Sequence, residues 1–145
     1  MSYRNEHRLL NQLIELCRDE ELTLREVASH LKDPEARALL QELAEARAAF
    51  ADSLLPHAQR LGGNSAAGGT TRGALRRRWL ALKSHVPGVS DRTMLADAEQ
   101  AESSALAAYA RVLDDLLQPS AREVVERQCD ELRTAHDRVR ALIVH

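Results

Sequence analysis

The stretch LNQLIELCRDEELTLREVASHLKDPEARALLQELAEARAAF, residues 10–50, repeats its apolar residues at spacings of three and four on both sides of one short break. Before the break, Leu10, Leu13, Ile14, Cys17, Leu24, Val27, Ala28 and Leu31 form one stripe of a helix from about Asn5 to Leu31. After it, Leu39, Leu40, Leu43, Phe50, Leu54 and Leu61 form the stripe of a second helix, from Pro34 to about Leu61. The break itself is Lys32-Asp33-Pro34. Asp33 is a good N-cap, and Pro34 suits the first helical position, where its missing N–H is not needed. A connection this short folds the two helices into an antiparallel hairpin.

The second half of the chain repeats the arrangement. Met94, Leu95, Ala98, Ala101, Ala105, Tyr109, Val112 and Leu116 predict a helix from Asp91 to about Leu117, capped by Ser90. Pro119-Ser120 breaks it, and Ser120 with Glu123 predicts a capping box for a last helix reaching about Ile143. Val124, Val125, Leu132, Val139, Leu142 and Ile143 are that helix's inner residues. Pro56 falls inside the second stripe and predicts a kink or an early stop near Leu55.

Between the hairpins, GGNSAAGGTTRG (residues 62–73) has the composition of a flexible loop and lacks phosphate-binding glycine spacing. Leu75, Trp79, Leu82 and Val86 follow at helical spacing and predict a short helix ending at Pro87-Gly88. A connector of this length can run the length of the bundle and set the second and third long helices parallel. The expected architecture is all-α: a ferritin-like four-helix bundle of two antiparallel hairpins, with a long crossover containing a short helix. Residues 1–145 are expected to form one domain, the usual size for a chain of this length. A constant offset also lays Leu13 on Met94, Glu21 on Glu102 and Arg47 on Gln128, a weak internal repeat.

Composition agrees with this architecture. Hydrophobic residues make up 44% and charged residues 29%, ordinary values for a globular protein. Aromatics are only 3%, so the core is built from Leu, Ala, Val and Ile, which suits close-packed helices. The formal net charge of −2 gives no global drive toward nucleic acid or membranes. Arg72, Arg76, Arg77, Arg78 and Lys83 nevertheless share one stretch without acids. Cys17 and Cys129 lie on predicted apolar faces in no CxxC pair, as buried reduced thiols do. With no long apolar run and no signal-like start, the expected location is the cytoplasm, with no transmembrane segment.

Glu21 and Glu102 occupy corresponding places on the first and third helices, where inward carboxylates in a bundle commonly hold metal. Carboxylate-bridged dimetal bundles take a Glu from each of two helices and Glu-x-x-His from each of the others. Here the second helix offers Arg47-Ala48-Ala49-Phe50 and the fourth Gln128-Cys129-Asp130-Glu131, so neither supplies that motif. A guanidinium cannot lose its proton, and burying it unpaired costs several kcal/mol. The expected partner of Arg47 is Glu21 across the first hairpin, with Glu20 the alternative because it lies nearer the centre of the apolar arc. Turn-counting in the second hairpin pairs Glu102 with His136, supported by Gln128. The competing expectation is one divalent metal held by Glu21, Glu102 and His136. No Ser, Cys or His sits in a context for nucleophilic catalysis.

The pieces LNQLIELCRDEELTLREVA, LKDPEARALLQELAEARAAFADSL, GALRRRWLALK and ERQCDELRTAHDRVRAL resemble a bacterial ferritin-like family of unknown function. The marks of the resemblance are Asp19-x-Glu21, Lys32-Asp33-Pro34, Arg47 with Phe50, Arg78-Trp79 with Leu82-Lys83, Glu102 with Tyr109, and Gln128 with His136. It implies a ferritin-like bundle in a bacterial cytoplasm, without an assigned activity. The chain departs from the family pattern in carrying Glu20 in place of an expected glycine.

The expected function is a non-enzymatic bundle acting as an interaction or stress-associated module, with a polar core in place of a dimetal site. That reading expects no cofactor, no resident metal and no nucleic-acid partner, but a second copy of the chain or another protein. The alternatives are a metal-binding ferritin-like oxidase or storage protein, and an anionic-surface binder acting through the basic crossover helix.

Overall fold

A computed structural model describes residues 5–60, 77 and 89–144. They form four long helices, α1 (Glu6–His30), α2 (Pro34–Arg60), α3 (Asp91–Leu113) and α4 (Pro119–Val144). The glycine-rich loop and short crossover helix expected from the sequence lie outside the described residues, except that Arg77 is helical.

The helix pairs in contact are α1 with α2, α3 with α4, α1 with α3, and α2 with α4. The diagonals of the bundle are therefore α1 with α4 and α2 with α3. One apolar cluster joins the end of α1 (Leu24, Val27, Leu31) to the start of α2 (Leu40, Leu43) and of α3 (Met94, Leu95). The end of α4 completes it with Val139. The other cluster joins Leu10, Leu13 and Ile14 of α1 to Phe50 and Leu54 of α2, Tyr109 and Val112 of α3, and Val125 and Leu132 of α4. So α2 and α3 start at the same end and run parallel, the ferritin-like connectivity expected from the long crossover.

Local chemistry sets the helix ends. Asp33 Oδ2 accepts from Ala36 N–H at 3.0 Å, capping α2, and Ser90 Oγ accepts from Thr93 N–H at 3.3 Å, capping α3. The Asp91 carboxylate also accepts from the backbone N–H groups of Lys32 and Asp33 at 2.8–3.0 Å, tying the first hairpin turn to the start of α3.

Three local expectations are corrected. Pro56 does not stop α2, which runs on to Arg60. The missing N–H at Pro56 leaves the Asp52 carbonyl without its helical donor, and the turn beyond is held by the buried Ala58, whose carbonyl accepts from His7 Nδ1–H at 3.2 Å. α3 ends at Leu113 rather than near Leu117. Arg122 Nη2–H donates to the Leu113 and Asp115 carbonyls at 3.0 and 2.7 Å, and Leu117 turns into the core. α4 begins at Pro119, so Ser120 is already helical and cannot serve as its N-cap. Proline takes the first helical position, as Pro34 does in α2. None of the described helices is long and apolar enough to cross a membrane.

Candidate functional site

The two apolar clusters are separated by a layer of buried polar side chains at mid-bundle. Glu20 and Thr23 of α1, Arg47 of α2, Glu102 of α3 and Gln128 of α4 are all buried. Each stands on the inward face of its helix, at a position that the apolar period assigns to the core.

Arg47 and Glu102 form the centre of the layer. Arg47 Nη2–H donates to Glu102 Oε2 at 2.7 Å, with the side chains 1% and 0% exposed. The contact crosses the α2–α3 diagonal. Both helices start at the same end of the bundle, and the two residues lie at nearly the same depth from it. The Arg47 guanidinium carbon also sits 4.8 Å from the centre of the Phe50 ring, one turn along α2. Among the described residues, Arg47 Nε and Glu102 Oε1 make no hydrogen bond.

A second group lies toward the α4 N-terminus. Tyr109 O–H donates to Gln128 Oε1 at 2.8 Å, and Gln128 Nε2–H donates to the Phe50 carbonyl at 3.2 Å. The tyrosine has a single proton, so the 3.2 Å contact between Cys17 Sγ and Tyr109 Oη is filled by the thiol hydrogen. The resulting chain runs from Cys17 through Tyr109 and Gln128 to the α2 backbone. Burial pushes the Cys17 thiol up to about 12, although the nearby Arg47 charge pulls it down. Burial likewise raises Tyr109 well above the usual phenol range, and its neighbour Cys17 adds to the shift. Both groups are protonated at neutral pH, and a protonated thiol is a poor nucleophile.

The expected partnerships are redrawn by this geometry. Arg47 meets Glu102, not Glu21. Glu21 stands at the edge of the apolar arc and pairs with Arg25 one turn away at 3.2 Å, while Glu20 is 3% exposed and faces inward. His136 is partly exposed and 3.8 Å from Glu99, one turn before Glu102, rather than bonded to Glu102 itself. Gln128 lies too far toward the other end to support His136 and bonds Tyr109 instead. Glu21, Glu102 and His136 are therefore not brought together. Of the basic stretch, Arg77 lies 3.6 Å from Asp19 of α1, and Arg72, Arg76, Arg78 and Lys83 lie outside the described residues.

Tyr109 and Cys17 were legible only as core residues. The available signal was that a tyrosine on an inward stripe needs a partner for its hydroxyl.

Among the described residues, no three His, Cys, Asp or Glu side chains are placed to hold a metal ion. At the centre of the layer a permanent cation occupies one of the carboxylate's oxygens, a donor set that does not fit a carboxylate-bridged metal pair.

Residues 5–115 match the model of the domain of unknown function DUF2383. The chain belongs to this family. No curated protein matches it. The fold of this DUF2383 protein is similar to that of a solved structure of a mutant Dps1 of Mycobacterium smegmatis. The TM-score is 0.79 at 17% identity, covering 99% of each chain. At that identity the likeness concerns the fold alone.

Proposed function

We propose that this DUF2383 protein is a non-enzymatic ferritin-like bundle whose polar layer replaces a dimetal site and that serves as an interaction or stress-associated module in the bacterial cytoplasm. The observation that carries the reading is the Arg47–Glu102 pair. A guanidinium neutralises at the bundle centre the carboxylate that a metal would need, and burial holds the neighbouring thiol protonated. The layer thus resembles a register-setting polar network, with its charges satisfied by side chains. Its partner on this reading is a second copy of the chain or another protein, met through an outer helix face.

Elemental analysis of protein purified without chelators tests the proposal. Iron, manganese and zinc are expected at far less than one atom per chain. One tightly held metal per chain, lost in Glu102→Ala, would establish the oxidase or storage alternative instead. Light scattering across a concentration series tests the second copy, and a mass that stays at one chain removes it.

A further inference from the structure

We propose that the cleft between α2 and α4 binds a small organic monocarboxylate. These helices make the least contact of the four neighbouring pairs, and small side chains, Ala46 and Ala135, border the gap between them. The cavity left there is about 390 Å³, with Leu43, Ala46 and Ala135 as its apolar wall. That volume lies within the range of pockets that enclose small ligands.

Two arginines line this one cavity, one from each helix. Arg47 lines it from α2, deeply buried, with Nη2 committed to Glu102 and Nε making no hydrogen bond among the described residues. Arg127 lines it from α4, exposed, and forms no hydrogen bond or ion pair among the described residues. Arg138, at one end, is already spent on Glu42, and that ion pair ties α2 to α4.

A guanidinium fork matches a carboxylate in geometry as well as charge, and an apolar body would lie against the aliphatic wall. The acids decide between ligand classes. Asp130 is paired with Arg133, but Glu131 lines the cavity as well and repels a second negative group on the ligand. A compound with one carboxylate and a compact apolar body therefore fits better than a dicarboxylate. The inference does not depend on the absence of metal, so the two tests fail separately.

Nitrogen-15-labelled protein titrated with benzoate, and in parallel with benzyl alcohol and succinate, tests it by amide shifts. Saturable shifts confined to residues 43–47 and 127–135 are expected with benzoate. Benzyl alcohol and succinate should bind at least roughly tenfold more weakly, and so should benzoate to Arg127→Glu. Arg127 is exposed, so that variant should melt like the parent, and Ala46→Leu, which narrows the cavity, should weaken benzoate binding as well. Scattered or non-saturating shifts overturn the proposal, as does undiminished benzoate binding by both variants or equal binding of the neutral alcohol.

Discussion

The two ends of the bundle and its middle are held by different physics. At the ends, clusters of Leu, Ile, Val and Ala bury apolar surface with no demand on partner identity beyond shape and volume. In the middle, Arg47, Glu102, Cys17, Tyr109 and Gln128 each need a particular neighbour, because an orphaned polar group in a dry core costs more than the bond it made was worth. The ends supply most of the driving force for folding. The middle sets which helices face each other and at what height.

The largest expected effect breaks the middle on one side only. Arg47→Ala leaves Glu102 as an uncompensated buried carboxylate and should destabilise by about 3–5 kcal/mol in chemical denaturation. Replacing both partners, Arg47→Met with Glu102→Leu, should return stability to about the parent's level or up to ~4 kcal/mol above it. A double variant as unstable as the single one would show that the pair contributes more than mutual neutralisation.

At the ends, Leu132→Ala opens a cavity among apolar neighbours, and a loss of about 2–5 kcal/mol is expected. No second-site polar substitution should rescue it, which separates the two regions. A second-site change at Tyr109 or Gln128 that restored the Leu132→Ala melting temperature would erase the distinction.

A smaller effect sharpens the contrast within the middle. Tyr109→Phe removes the donor to Gln128 and the acceptor for the Cys17 thiol, at about 1–3 kcal/mol. Cys17 also makes the layer sensitive to alkali. Its thiol ionises near 9.0 when unfolded but at about 12 when buried. The unfolded chain loses its proton first, so the stability Cys17 provides is complete below pH 9 and declines as pH rises toward about 12. Denaturation curves of Cys17→Ala should fall less steeply over that interval than those of the parent, and parallel curves would contradict the assignment.

The smallest effect is at the layer's margin. Glu21→Ala breaks only the partly exposed pair with Arg25, and its melting curve should move by no more than about 0.5 kcal/mol equivalent. A loss matching that of Arg47→Ala would place Glu21 in the interior after all.

The helical architecture was legible in the chain because apolar period and capping are local properties. Asp33 with Pro34, and Ser90 before Asp91, placed two helix starts from their own chemistry. Pro119 obeys the same rule as Pro34 and opens α4, which leaves Ser120 one residue too late to cap it. Pro56 does not end α2: its local cost is real, while the burial of Ala58 that offsets it is tertiary.

The amino-acid order by itself determined four amphipathic helices, their pairing into two hairpins, the parallel course of α2 and α3, and the presence of polar residues on inward faces. These follow from side-chain period and connection length, which need no knowledge of what lies across the core. Only the tertiary structure decided that Arg47 reaches Glu102 over the diagonal, that Glu20 rather than Glu21 turns inward, and that Tyr109 joins Cys17 to Gln128. Counting turns along a hairpin compares only neighbours in sequence, whereas a buried charge pairs with whatever opposite charge shares its depth in the bundle.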